Sequence, residues 1–154
     1  MADQTWLQLD DQLLLDDTDY RVVAVLVGRT DRLTFRRLSL LSQLRGEPRT
    51  LLQLEGALME AEDLPPEALA GERVELQGRT FRLRWDSEVR TERTAADASA
   101  NFGRGRCAWY AADDGSVAVL LVERYDRDAF MGAPIAPSRI DLRFTEGLRR
   151  GGRD

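Results

Sequence analysis

The chain has 154 residues, 43% hydrophobic and 32% charged, with a net charge of −5 and an isoelectric point of about 4.9. That size and balance describe one globular domain, or two small halves around one core, and a mildly acidic total gives no strong nucleic-acid signal, because phosphate attraction needs clustered positive charge. There is no histidine and all 22 basic residues are arginine, which excludes imidazole bases, histidine–metal sites, Schiff-base lysines and a Walker lysine.

The opening MADQTWLQLDDQ lacks the basic start and apolar core of a secretory signal. The longest apolar runs, such as VVAVLVG, fall far short of the roughly 20 residues that a membrane helix needs, so a cytoplasmic location is expected. LLLDDTDYRVV (13–23) reads as a strand, a polar turn and a second strand opening with an aromatic. YRVVAVLV (20–27) is apolar on both faces, which describes a central strand covered twice or a strand whose second face meets a partner. Val23, Val25 and Val27 are therefore candidate interface residues for a homodimer or a protein partner. LSLLSQLRGEPRTLLQLE (38–55) reads as a hairpin. MEAEDLPPEALAG (59–71) is expected to be a connector, with Asp63 capping a short helical turn, Pro65 and Pro66 in its first turn and Gly71 ending it.

VELQGRTFRLR (74–84) repeats 13–23 at an offset of 61, matching Leu13 to Val74, Leu15 to Leu76, Tyr20 to Phe81, Arg21 to Arg82 and Val22 to Leu83. The two turns span Asp16 to Asp19 and Gln77 to Thr80, and Gly78 supplies a backbone freedom that Asp17 must approximate. In TFRLRWD, Phe81, Leu83 and Trp85 alternate with Arg82 and Arg84, as in a strand buried on one side. The polar SEVRTERTAADASANFGRGR (87–106) is expected to be a long loop, or a partly ordered strand and loop. CAWYAADDGSVAVLLVE (107–123) repeats 38–55 at an offset of 69, matching Leu41 to Tyr110, Gly46 to Gly115, Leu51 to Leu120 and Leu52 to Leu121. A two-residue loop at Asp114-Gly115 pairs Tyr110 with Val119, Trp109 with Leu120, Cys107 with Val122 and Arg106 with Glu123. YDRDAFMGAPIAPSRIDLRF (125–144) is a loop ending in a strand, and 145–154 is expected to be a disordered tail.

An internal duplication of 9–58 and 70–144 is the simplest account. The expected fold is mainly β: two homologous four-strand halves forming a β-barrel or sandwich, with at most one short helix, in a single domain over 1–144.

Candidate sites are few. Asp113, Asp114 and Gly115 read as turn chemistry rather than a metal site, because the equivalent QLRGEP has no aspartate. Cys107 cannot form an internal disulfide and shares a face with Trp109 and Ala111, as a buried inert thiol would. Asp10, Asp11, Asp16, Asp17 and Asp19 lack calcium-loop spacing and read as a solvated turn with edge-protecting charge; Asp126 and Asp128 flank Arg127 and offer a weak divalent-cation alternative. FGRGR (102–106) has the look of a small Arg-Gly nucleic-acid patch, but one short copy in an acidic chain reads as a flexible loop. Arg36, Arg37, Arg82 and Arg84 are candidates to line one side of the sheet, and Arg82, Arg84 and Trp85 are the candidate contacts of an anion or small ligand. Dinucleotide, P-loop, nucleophile-elbow and zinc-deaminase patterns are missing from the sequence. No catalytic residue, metal ligand or cofactor is expected, although the 27 acids leave a hydrolytic carboxylate pair open.

Together, LDDQLLLDDTDYRVVAVL, LSLLSQLRGEPRTLLQLEG, LAGERVELQGRTFRLRW and CAWYAADDGSVAVLLVERYDRDAFMGAPIAPSRIDL resemble a bacterial family, domain of unknown function 4178, over about residues 9 to 142. The resemblance lies in the Y-R-V entry, the related second half, the Y-x-x-x-D-G hairpin, the E-x-Y/W stretch and the G-x-x-I return. The chain departs with Asp10 where glycine is common, and with Leu and Gln where tryptophan often precedes the acidic strand end. The resemblance implies a β-rich bacterial protein of stress or membrane-associated systems and brings no catalytic residues. The functional expectation is a non-enzymatic protein-interaction or accessory module, with a small-ligand or anion-binding β-barrel as the alternative.

Overall fold

The computed structural model describes residues 6–42, 47–96 and 98–142. Residues 43–46, including Gly46, of the expected hairpin turn, and the expected tail at 145–154, lie outside the described residues. The strands are Gln12–Leu15 (β1), Thr18–Arg29 (β2), Thr34–Leu41 (β3), Arg49–Leu54 (β4), Ala57–Leu64 (β5), Arg73–Leu76 (β6), Arg79–Ala95 (β7), Ala98–Ala111 (β8), Val117–Glu123 (β9), Arg127–Pro134 (β10) and Ile140–Asp141 (β11). Single 3-10 turns at Pro66–Ala68 and Pro137–Arg139 are the only helical pieces among the described residues. All strand pairs are antiparallel, and β2-β3-β4-β5-β10-β9-β8-β7 close into a ring through β7 on β2. The fold is mainly β, and the ring closes as a barrel. Each half supplies a four-strand meander to the ring with the expected short strand (β1 or β6) hairpinned onto it; β5 and β10 go beyond the eight strands expected, β10 lying where 125–144 reads as a loop.

Both short hairpins turn in two residues. Asp16 and Asp17 have φ of 50° and 64°, and Gln77 and Gly78 have φ of 52° and 75°, as the type I′ turn of a twisted hairpin requires. Thr18, Asp19, Arg79 and Thr80, expected in the turns, already belong to strands. Leu13 faces Tyr20 in one hairpin and Val74 faces Phe81 in the other.

One residue is inserted in each long strand, Val23 in β2 and Arg84 in β7, 61 positions apart. A bulge adds a residue to one strand only, so it reverses which face the following side chains take. Tyr20 and Val22, and Phe81 and Leu83, pack outside the barrel; Leu26, Trp85 and Val89 then pack inside. The expected shared face of Phe81, Leu83 and Trp85 is thus corrected: Trp85 enters the barrel and stacks on Trp109, with ring centroids 5.4 Å apart.

Phe35, Trp109 and Phe130 plug the interior, Phe35 lying 5.8 Å and 6.1 Å from the other two. Two further clusters sit outside the ring. The 6–11 segment, β1 and β11 cover the outer faces of β2, β3 and β4 around Leu7, Leu13, Val22 and Leu38. The connector and β6 cover Phe81, Tyr110 and Met131 with Leu69 and Val74. The doubly apolar β2 is therefore covered on both faces by its own chain. Val25 and Val27, expected at an interface, are only 5% and 6% exposed and share the cluster of Leu7, while Val23 is half-buried at the bulge. The Leu7 amide donates to Gln53 Oε1 at 2.9 Å, and Arg36 donates to the Leu7 carbonyl at 2.8 Å, which fastens the covering segment.

Three further expectations change. Residues 59–64 belong to β5, not to a connector. Asp63 faces Phe130 in the ladder, and the turn at Pro66 carries no side-chain cap; Met59 and Ala61 pack inward on alternate positions, which is sufficient for a strand buried on one side. The Ala112 amide donates to the Ser116 carbonyl and closes a three-residue loop between β8 and β9, with Gly115 at φ 90°, the Gly115 amide donating to the Ala112 carbonyl and the Ser116 amide to Asp114 Oδ1 at 2.9 Å. This type I turn with a left-handed third residue moves the register by one: Trp109 faces Val119, Cys107 faces Leu121, Arg106 faces Val122 and Gly105 faces Glu123. Finally, most of 87–106 is not loop but two long strands paired from Ser87–Cys107 to Ala95–Ala98.

Candidate functional site

The long β7–β8 hairpin carries the site. Its inward residues on β8 include Gly103 and Gly105, where side chains have no room. A Cβ at Gly105 would collide with the Val122 carbonyl, and one at Gly103 with Glu123 and Thr91. Strand glycines mark such close approaches. Because the inward positions are glycine, the outward positions carry the chemistry: Phe102, Arg104 and Arg106 alternate along one face.

Register then aligns arginines from three strands. Arg29 on β2 faces Arg90 on β7, and Arg90 faces Arg104 on β8. All three point outward, since Arg29 follows Val27 by two residues on the outer face. Like charges directly opposite destabilise a sheet. Compensation is partial: Arg29 Nη1 lies 3.4 Å from Glu92 Oε1, and Arg106 Nε donates to Asp86 Oδ1 at 2.9 Å. Glu88 and Glu92 flank Arg90 along its strand, yet Arg90 and Arg104 form no ion pair among the described residues. An open groove of about 540 Å³ is lined by Arg29, Arg90, Arg104, Phe102, Thr91 and Gly103, with no carboxylate. A second groove of about 850 Å³ shares the three arginines and continues past Arg106 and Glu88 to Ser87 and Asp31. It follows the stretch of β7 from Arg84 to Val89 that pairs with β8 alone. Phe102 is 75% exposed; Tyr125, beyond β9, is 87% exposed with Arg124 5.1 Å over its ring.

Several other charged groups are paired. Inside one end of the barrel, Arg37 lies 2.7 Å from Asp128 and 4.9 Å above the Phe130 ring. Arg93 grips Glu123 through bonds of 2.6 Å and 3.1 Å, while Thr91 donates to the same carboxylate at 2.7 Å. Arg93 holds the Glu123 carboxyl below the usual glutamate range. On the outer surface, Arg139 clamps Asp16 at 2.7 Å and 2.8 Å and also reaches Glu60, which pairs with Arg49. The Arg139 bonds, opposed by partial desolvation and helped by Arg49, bring the Asp16 pKa down to about 2. Burial, with Asp86 nearby, pushes the Cys107 thiol up to about 12.

The expected ligand residues are dispersed. Arg82 and Arg84 are exposed on the first part of β7, away from the arginine row, and Trp85 is inside. Arg36 lies under Trp6, 5.4 Å from its ring, and Arg37 faces inward, so Arg36, Arg37, Arg82 and Arg84 do not line one side of the sheet. Asp114 accepts from Arg79 at 2.7 Å and serves the turn. Arg29 and Arg90 were not singled out by the sequence; the period-two pattern of Phe102, Arg104 and Arg106 was the available signal. No protein-family model, curated protein or solved structure matches the chain.

Proposed function

We propose that this chain is a non-enzymatic binding module that recognises an anionic partner on the outer face of β2, β7 and β8. The observation that carries the proposal is the row Arg29–Arg90–Arg104 bordering a groove without a carboxylate. Arg29 shares its charge with Glu92, but Arg90 and Arg104 face each other without an ion pair among the described residues, so an anionic ligand gains what the free protein lacks.

The chemistry elsewhere supports binding over catalysis. A thiol with a pKa near 12 is almost wholly protonated at neutral pH. Arginine or a turn amide holds Asp16, Asp114 and Glu123 on the ionised side, the wrong direction for a general acid. The aromatic plug occupies the middle of the barrel and leaves only an open pocket of about 240 Å³ at the Arg37 and Arg93 end, which speaks against an enclosed small-ligand site. The partner is another molecule rather than a second copy docked on β2, because Val25 and Val27 are covered. A bacterial, cytoplasmic accessory role, in the stress or membrane-associated setting implied by the resemblance to domain of unknown function 4178, belongs to this proposal.

Retention on an immobilised polyanion such as heparin tests it. The protein carries net negative charge, so retention reports a local patch. Wild type is retained at low salt, and Arg90→Glu/Arg104→Glu, with an unchanged circular-dichroism spectrum, flows through. Flow-through of wild type, or equal retention of both, overturns the proposal.

A further inference from the structure

We infer that the anionic partner is single-stranded nucleic acid. This rests on the binding-face reading above and adds a ligand class to it. A surface for an acidic polypeptide needs cations alone. This face also presents Phe102 next to Arg104 on the same side of β8, 75% exposed, and Phe102 lines the same groove as Arg29, Arg90 and Arg104. A single exposed ring is ordinary on a protein surface; what marks this one is its place in the same groove as three guanidiniums. A base covers such a ring by stacking while its phosphates meet the guanidiniums, the combination by which sheet surfaces hold single strands. The strand geometry suits a polymer. Phe102, Arg104 and Arg106 lie along four residue steps, about 13 Å at a rise of about 3.3 Å each, and the two grooves run on through their shared arginines. A duplex buries its base faces in its own stack and cannot use Phe102.

Anisotropy titrations distinguish the outcomes, using a fluorescein-labelled single strand of about 12 nucleotides, its duplex, and a labelled polyglutamate of matched charge. The single strand is expected to bind best. Phe102→Ala is expected to weaken it about tenfold, because stacking on one ring carries that order of affinity. Arg104→Ala is expected to weaken it and lower the salt slope by about 0.7, one phosphate contact on a single strand. Both side chains are at the surface, and unchanged thermal melts verify folding. Polyglutamate or duplex binding as tight as the single strand, or single-strand binding that ignores Phe102→Ala, overturns the nucleic-acid inference and leaves the anion-binding face standing. No binding of any probe overturns both.

Discussion

At Gly105 a main-chain atom of β9 occupies the space that a side chain would need, and the ladder prevents the Val122 carbonyl from moving away. Gly105→Ala is therefore predicted to lower stability by about 2 kcal/mol, as overpacking does, whereas the neighbouring Arg104→Ala, pointing outward, changes it by less than about 0.5 kcal/mol. Urea denaturation of the two variants checks this, and equal midpoints would refute the inward placement of Gly105. Asp16 makes a pH prediction. Its folded pKa of about 2 lies below the unfolded value of about 3.9, so its contribution is present above the unfolded pKa and fades as pH falls from there through about 2. Asp16→Asn keeps a residue that accepts left-handed φ and removes the charge. The variant should denature at lower urea than wild type at neutral pH, and the gap should close near pH 2; a gap independent of pH would show that Asp16 acts through the turn alone. The left-handed Asp17 was legible from the sequence because turn chemistry is local, whereas the Arg139 clamp on Asp16 was not, since its partner lies 123 residues away.

At the scale of elements, the bulges decide which side of the barrel each residue of β2 and β7 takes. Arg84 matters as an extra residue, not as an arginine. Arg84→Ala should melt close to wild type, while deletion of Arg84 should turn Trp85 away from Trp109 and abolish the cooperative melt; a deletion variant that retains near-ultraviolet dichroism would argue against the stacked pair. Strand alternation was readable wherever one face was apolar, as in 13–23 and 74–84, but a bulge leaves no mark in that pattern, which is why Phe81, Leu83 and Trp85 read as one face. The β7–β8 hairpin was hidden for a related reason. Its inward positions alternate Val89, Thr91 and Arg93 against Gly103 and Gly105, so space, not hydrophobicity, sets the period. The one-residue register change in the β8–β9 hairpin follows from a loop of three residues in place of two, which the aspartate and glycine types alone do not separate.

For the whole molecule, the choice of barrel over sandwich depends on the two seams, β2 on β7 and β5 on β10. These join residues more than 60 positions apart, and no local pattern encodes them. The same non-locality concealed the site. Arg29 and Arg90 occupy positions 61 residues apart, the spacing at which 13–23 recurs, and meet only because the ring closes there. Composition points away from an anion-binding surface, with 27 acids against 22 arginines, yet folding pairs many of those acids with other arginines and leaves one face with cations abreast. The central claim is that binding takes place on this outer face and not inside the barrel. Amide chemical-shift mapping by NMR, with a single-stranded oligonucleotide added stepwise, tests it most directly. The account predicts shifts confined to Arg29, to β7 around Arg90 and to β8 from Phe102 to Arg106. Shifts centred on the interior end at Arg37 and Arg93, on the covered face at Val25 and Val27, or nowhere at all would contradict it.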